Sequence, residues 1–474
     1  MASDVYKEFV WRRMIYEGTE GVADLLAREN VTCYIGFDPT ASSLHVGSLL
    51  PMLALARMQR FGHTPIAIAG GGTGLIGDPS GRVSERCLLS PDEIEENLKG
   101  IREQLATVLD FDAQVNPARI VNNADWLTKL DLMSFLRDIG KHFTVNYMLA
   151  KESVKSRLAR KDSRGADSGD TVERPGRDGP SQVGPAAGNV NITVPSGAPR
   201  FSGQAPSVAE GISFTEFSYM LLQAYDFLSV YDRYRCTLQM GGSDQWGKIT
   251  AGCDLIRKLR GGRAHGLVLP LVTTASGVKF GKTEAGTVWL DARRTSAFRF
   301  YQFWLNTDDR DVSNYLRFFT FLPRPEIEGL DEEVEQAPDA RAAQRMLARD
   351  VTRLVHGEQA VARAERASGL LFGEGITELN VDEVLAVFED VPSIEIGAAD
   401  FAGSGIALAD ILVRTGAVAS KGEAGRLIRG GGVYVNNRRI AGERTRLTVD
   451  QAIAGQLFLV RKGQRQNYLV KLIS

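Results

Sequence analysis

The sequence predicts an α/β protein: a parallel sheet with helices on its faces, then a helical region, then a small α/β unit. Three observations carry this. Apolar runs of strand length alternate with helix-like stretches through the first 155 residues, the order that builds a parallel sheet. Residues 291–390 are mainly helical in spacing, as in RAAQRMLARDVTRLVHGEQAVARAERASGLLF. Residues 405–474 are short and sharply basic. A length of 474 residues accommodates three domains at ~150 residues each.

The elements follow in order. VTCYIGF, residues 31–37, reads as a short buried strand. LLPMLALARMQRF, residues 49–61, is helix-like, with Pro51 tolerable because it falls in the first turn. A second strand covers 65–69. Helical patterns occupy 91–109 and 132–155, with the turn-rich RIVNNADW between them. Residues 160–210 break the pattern, with 8 Gly, 6 Pro, 6 Ser and a single aromatic, Phe201. Such a segment buries too little surface to offset its ordering entropy. It reads as a disordered insertion looping out of a domain, with a partner-binding loop as the alternative. The sequon Asn191-Ile192-Thr193 carries no meaning without a secretory signal. Regular structure resumes at Gly211, with a helix over 215–230, a strand over 236–240 and a helix from Asp244. Strand-like LVLPLVTT and TVWL bracket 275–286. The expected domains are 1–290 with the insertion inside it, 291–390, a linker over 391–404, and 405–474.

Composition excludes several classes. Apolar residues are 43% and charged residues 24%, ordinary for a globular protein. MASDVYKEFVWRRMIYEG lacks the apolar centre of a signal peptide and the acid-poor character of a transit peptide. No apolar run approaches the ~18 residues of a membrane helix. The cysteines, Cys33, Cys87, Cys236 and Cys253, are scattered without CxxC spacing, so neither disulfides nor a cysteine zinc site is expected. A cytoplasmic protein without a dedicated metal site results. The net charge of −2 conceals an asymmetry. Residues 405–474 carry 12 Lys and Arg against 4 Asp and Glu, while the rest carries 44 bases and 54 acids. The basic end implies a polyanionic partner or a solvated charged surface.

Gly72–Gly77, GTGLIG, matches the dinucleotide fingerprint. Three features argue against that reading. It stands in the second strand unit, it is followed by the turn residues Asp78-Pro79-Ser80-Gly81, and no strand ending in an acid follows about 20 residues later. A glycine-lined pocket wall is the better interpretation, with Asp78 beyond the carboxyl end of the strand. The first turn is more telling. YIGFDPTASSLHVGSLL places Asp38, Thr40, His45, Gly47 and Ser48 between a strand and a helix N-terminus, where free N–H groups suit phosphate. His45 is either a phosphate donor or a satisfied residue at a helix start. In VKFGKT, Lys279 and Lys282 flank Phe280 and Gly281. They suit charge growing on a departing pyrophosphate, or form a solvated basic turn.

Together GFDPTASSLHVGS, GLIGDPSGR, GISFTEFSYMLLQAYDF, GGSDQWGKITAG and KFGKT resemble bacterial-type tyrosyl-tRNA synthetase, a class I aminoacyl-tRNA synthetase. The resemblance covers nearly the whole chain outside 160–210. It implies a Rossmann-like catalytic domain, an α-helical domain that approaches the anticodon arm, and a C-terminal S-four-type RNA-binding domain. On the helix FSYMLLQAYDF, Tyr219, Gln223 and Asp226 share one face opposite Phe217, Leu221, Ala224 and Leu228. Spacing alone would turn that polar face to solvent; the resemblance turns it to the tyrosine pocket. It then assigns Tyr219, Gln223 and Asp78 to the substrate ammonium, and Tyr34 and Asp226 to the phenolic hydroxyl.

For ATP it assigns His45 and Ser48 to the nucleotide and its phosphates and Thr40 to the phosphates. Gly36, Asp38 and Gln245 fall near the tyrosyl adenylate, Gly47 against the nucleotide and Asp244 on the ribose. Lys279, Lys282 and Thr283 lie over the pyrophosphate, with Arg82 and Arg86 as further cations. Two positions depart from the family pattern: Ser48 stands where a second histidine is frequent, and Arg82 where lysine is common. In the C-terminal domain the resemblance assigns Arg414, Lys421, Arg426, Arg429, Arg438 and Arg439 to RNA phosphates. The implied partners are tRNA(Tyr), L-tyrosine and ATP with Mg2+ as substrate, in a homodimer with no tightly bound cofactor and no membrane. The competing readings are a tryptophanyl-tRNA synthetase and a catalytically silent RNA-binding relative.

Overall fold

The computed structural model describes residues 4–77, 89–150, 214–275, 277, 280–283, 286–371, 381, 384–385, 391–463 and 466–473, with the side chains of 216, 282, 283 and 369–371 excepted. The expected insertion lies outside the described residues.

The first sheet runs β1-β6-β5-β2-β3-β4, with β1 at Glu17–Gly18, β2 at Thr32–Phe37, β3 at Thr64–Ala69, β4 at Arg119–Asn122, β5 at Cys236–Gly242 and β6 at His265–Leu269. Every pairing is parallel except β1 with β6. The inner strands are apolar on both faces because helices cover both, and β6 is buried at every position. From β2 the chain builds outward to β3 and β4, then returns to place β5 on the other side of β2. The order therefore reverses between β2 and β5, and a crevice opens beyond their carboxyl ends.

Around this sheet stand α1 (Val5–Trp11), α2 (Leu49–Arg60), α3 (Pro91–Leu105), α4 (Phe214–Tyr234) and α5 (Trp246–Arg260). α2 grows out of a single 3₁₀ turn, Val46–Ser48, so it starts just after His45. Ser90 and Glu93 form a capping box for α3, and Gly261 in the left-handed region (φ 63°) ends α5.

Two expectations fail here. Arg119–Asn122, read as turn, is the edge strand β4, because its amides complete the ladder on β3. Residues 132–155 are not one helix among their described members: Leu132–Ser134, a π turn over Phe135–Ile139, a 3₁₀ turn at Gly140–His142 and a helix at Val145–Leu149 follow one another. Thr144 caps the last of these, so its hydroxyl restarts the helix after a break.

Beyond the short hairpin β7 (Lys282–Thr283) and β8 (Gly286–Thr287) come α6 (Ala297–Leu305), α7 (Asp309–Phe319), α8 (Arg324–Gln336), α9 (Ala342–His356) and α10 (Glu358–Leu371). Their core is continuous with that of the sheet: Leu49 and Leu53 of α2 share a cluster with Phe300, Trp304 and Phe319. Arg57 of α2 is buried and donates to the carbonyls of Arg317, Phe318 and Thr320 at 3.2, 3.0 and 2.5 Å. Arg12 donates to Arg317, Thr320 and Leu322 carbonyls at 3.0, 3.1 and 2.8 Å. Two guanidinium groups thus satisfy the orphan carbonyls at the end of α7, where its dipole is negative.

The C-terminal sheet runs β12-β11-β14-β15-β9, from β9 (Ser393–Gly397), β11 (Val433–Val435), β12 (Arg438–Ile440), β14 (Leu457–Lys462) and β15 (Gln466–Ile473), beside a small pair β10 (Ile406–Ala407) and β13 (Arg446–Leu447). Asn436 and Asn437, both at positive φ, close the β11–β12 hairpin. Helices α11 (Leu408–Arg414) and α12 (Lys421–Arg429) cover one face. Residues 393–397, expected in a linker, instead pair with β15 and bury Ile396; the Ile-Glu-Ile alternation was the signal for a strand.

Candidate active site

The crevice at the β2/β5 switch point holds a cavity of about 210 Å³, below the ~300–1,000 Å³ of drug-sized pockets and therefore suited to a small molecule. Seven of the expected residues line it: Tyr34, Gly36 and Asp38 from β2 and its turn, Tyr219, Gln223 and Asp226 from α4, and Gln245 from the turn into α5. The polar face of α4 does turn inward.

Asp226 is the electrostatic centre. It is 5% exposed. Its Oδ1 accepts from Trp126 Nε1 at 2.6 Å and its Oδ2 from Asn123 Nδ2 at 3.1 Å. Burial pushes its pKa up to about 7; the two donors pull it down and the charge of Asp38 pushes it up. Tyr34 packs edge-on against Phe227 with ring centroids 5.3 Å apart. Burial first, then the Asp226 charge, holds its hydroxyl well above the usual phenol range, so it stays an O–H donor. That hydroxyl and Gln239 Oε1 are buried with no partner among the described residues, and both residues line the cavity. Each orphan costs roughly 1–3 kcal/mol, so the cavity is complementary to a ligand with polar ends.

Asn123, Thr73 and Gln239 also line the site, and the sequence reading missed them. Asn123 Oδ1 accepts from the Gly72 amide at 2.8 Å and its Nδ2 reaches Thr73 Oγ1 at 3.0 Å. The glycine turn thus spends its amide on a side chain rather than a pyrophosphate, and a Cβ at Gly72 would meet Ala124 backbone at 3.2 Å. Gly72 and Gly74 serve close packing. The available signals were weak: an Asn pair after a short apolar run, and one Gln inside an apolar strand. Lys248 was missed as well; it is 6% exposed with its Nζ 4.6 Å from the Tyr219 ring centroid.

Beside the cavity lies the β2–α2 turn. His45 is exposed, and its Nδ1 accepts from the Gly47 amide at 3.0 Å, which puts the ring proton of the neutral form on Nε2. Ser48, half-buried, heads α2, and the Thr40 amide donates to the Asp38 carbonyl at 2.9 Å. Pairing of Val46 with Val288 (3.0 Å) and of Leu290 with Leu44 (2.9 Å) fixes the turn to the 286–290 segment. Gly281 has φ +78°, and a Cβ there would meet Val46 Cγ2 at 2.6 Å. The segment carrying Lys282 and Thr283 therefore lies against the His45 turn. Thr40, His45, Gly47 and Ser48 border the cavity without lining it, as does Asp244, which is exposed and receives Gln245 Nε2 at 2.9 Å. Asp78, Arg82, Arg86 and Lys279 fall outside the described residues, as do the side chains of Lys282 and Thr283.

In the C-terminal domain Arg414 pairs with Asp400, Lys421 with Asp410 and Arg429 with Glu443, all at the surface, where such pairs are worth little. Arg439 donates to the Gly431 carbonyl at 2.9 Å. Arg426 and Arg438 are exposed without an ion pair among the described residues.

A model of class I tRNA synthetases for W and Y matches residues 26–166 and 196–373, and a model of a tyrosine–tRNA ligase SYY-like C-terminal domain matches 383–470. The first match leaves 167–195 out, inside the expected insertion. A tyrosine–tRNA ligase of Roseiflexus castenholzii is 52% identical over 99% of both chains, and that of Bacillus caldotenax 46% identical over 99% of both. The solved C-terminally truncated mitochondrial tyrosyl-tRNA synthetase of Aspergillus nidulans superposes with a TM-score of 0.61 at 28% identity, covering 78% of this chain and 94% of that one.

Proposed function

The chain belongs to the bacterial-type tyrosine–tRNA ligases of class I, and from that membership we propose how its residues divide the work. The enzyme activates L-tyrosine with ATP to tyrosyl adenylate and pyrophosphate, then transfers the tyrosyl group to the 3′ end of tRNA(Tyr). Tyrosine occupies the cavity with its phenol between Tyr34 and Asp226 and its ammonium toward Tyr219, Gln223 and Asp78. ATP lies over the β2–α2 turn, its phosphates toward Thr40, His45 and Ser48, its ribose toward Asp244, with Gly36, Asp38 and Gln245 beside the adenylate. Gly47 has no side chain and lets the nucleotide approach the backbone. Mg2+ enters as part of the ATP substrate.

No protein nucleophile is needed. The tyrosine carboxylate attacks the α-phosphate in line and pyrophosphate leaves toward Lys279, Lys282, Thr283, Arg82 and Arg86; the terminal ribose hydroxyl then attacks the adenylate and AMP departs. Rate comes from alignment and from cations placed where charge grows.

The observation that carries this reading is a buried carboxylate and a buried phenol, both lining one cavity. Phenylalanine would leave both without its hydroxyl, at a cost of about 2–6 kcal/mol together. We assign 1–290 to catalysis, 291–390 to the anticodon arm and the basic end to tRNA phosphates. We also propose a homodimer. Leu136, Val145 and Phe214 are exposed apolar residues on elements that share one core, with Leu132 and Met133 exposed on the turn just before them, the kind of surface that a second copy covers. The free thiols Cys33, Cys236 and Cys253 fit a reducing cytoplasm. ATP–pyrophosphate exchange separates tyrosine from tryptophan: exchange with tyrosine is expected, and exchange driven only by tryptophan would overturn the assignment.

A further inference from the structure

We propose that one face of α7 is a positioning surface for the lysine segment, an inference that rests on the reading of that segment as the pyrophosphate cradle. Asp311, Tyr315 and Phe319 stand at i, i+4 and i+8, on one helix face. Each holds a different point of the segment. Asp311 Oδ2 accepts from the Ala275 amide at 2.9 Å. The Tyr315 hydroxyl donates to the Thr273 carbonyl at 3.3 Å. The Phe319 ring stacks on Phe280, centroids 5.3 Å apart and planes within 8°. Three turns of one helix thus fix three points of one strand of chain.

Phe280 is the foot of this arrangement. It is 5% exposed and is ringed also by Phe303, Trp304 and Tyr315, with centroids 5.6, 5.8 and 5.1 Å away. In the sequence it stands between the two lysines, followed by Gly281. Gly281 closes the other side, since a Cβ there would strike Val46 at 2.6 Å. The Phe-Gly pair is therefore wedged between α7 and the His45 turn. At its far end α7 is gripped by Arg57, which belongs to the helix that starts beside His45. α2 and α7 form one frame: one member carries the His45 turn, the other the foot of the lysine segment. A shift of α7 moves the foot relative to the turn. None of the three α7 residues lines the cavity, so they reach the site through the residues they hold, Phe280, Ala275 and Thr273.

The test uses the full-length enzyme and the variants Asp311→Asn, Tyr315→Phe and Phe319→Leu. Adenylate stoichiometry, single-turnover adenylate formation and KM for tyrosine and for pyrophosphate are measured. The expected result is an adenylate formation rate reduced about tenfold, below the ~10² that an ångström of misplacement can cost. KM for pyrophosphate should rise, with KM for tyrosine and the stoichiometry unchanged. Tyr315→Phe removes a single oxygen, so it tests the idea even if Phe319→Leu folds poorly. Unchanged rates in Asp311→Asn and Tyr315→Phe would overturn it. So would a loss confined to stoichiometry, which marks a merely structural role. A wild-type enzyme without tyrosine-dependent exchange would instead overturn the functional reading, and this inference with it.

Discussion

In the proposed pocket selectivity turns on Asp226, and its environment sets its pH behaviour. A carboxylate buried among Tyr34, Trp126 and Asn123 titrates near pH 7 because burial outweighs two N–H donors. The folded-state value lies above that of the unfolded chain. Protonated Asp226 therefore favours folding at low pH, and this contribution is lost as pH rises through about 7. Urea midpoints at pH 5.5 and 8 should show wild type losing ground to Asp226→Asn as pH rises; parallel behaviour would contradict the burial. In catalysis the sign reverses. In the proposed role the ionised form accepts a hydrogen bond from the substrate phenol, so kcat/KM for tyrosine should climb through about pH 7 and level off, and Asp226→Asn should lack that inflection. Family motifs brought Tyr34, Tyr219, Gln223 and Asp226 together, the four line one cavity, and α4 spacing put the last three on one face. Spacing alone would have sent that face to solvent, since amphipathicity does not distinguish a wet surface from a polar cavity. Asn123 and Gln239 were not legible, because one sat in a misread turn and the other in an apolar strand.

At the scale of elements, α2 and α7 explain how the helical region is held to the sheet. Arg57 is buried beside a second arginine, Arg12, and burial followed by that like charge depresses its pKa. It remains because it donates to three carbonyls at the end of α7, two of which, those of Arg317 and Thr320, it shares with Arg12. Arg57→Met takes the side-chain donor from the Phe318 carbonyl and leaves those of Arg317 and Thr320 to Arg12 alone. The expected loss is about 3 kcal/mol, read as a lower urea midpoint at constant slope; an unchanged midpoint would contradict the role. Long, strongly patterned elements such as β2, β3, α2 and α4 were read from sequence to within a few residues. β4 was missed because an edge strand of four residues owes its existence to a neighbouring ladder, which local pattern does not report; β9 carried an Ile-Glu-Ile alternation too short to outweigh the flanking linker-like residues. The break at Gly140–Thr144 was missed because a capping threonine inside a helical pattern looks like an ordinary surface residue.

Across the whole molecule, a body that carries excess acids bears a basic end, and the fold keeps the two chemistries apart. The cavity proposed for tyrosine lies at the switch point of the first sheet, where strand order reverses, while the basic residues decorate a separate unit of helices and sheet with its own core. Substrate selection and RNA attraction are thereby assigned to different surfaces, with the helical region sharing the catalytic core. The account stands or falls on the cavity. Exchange of pyrophosphate into ATP, measured with tyrosine and with phenylalanine for wild type and Asp226→Ala, tests it most directly. Wild type should prefer tyrosine by at least ~10², and Asp226→Ala should relax its rejection of phenylalanine and lose most of that preference. Equal preference in the two proteins would contradict it.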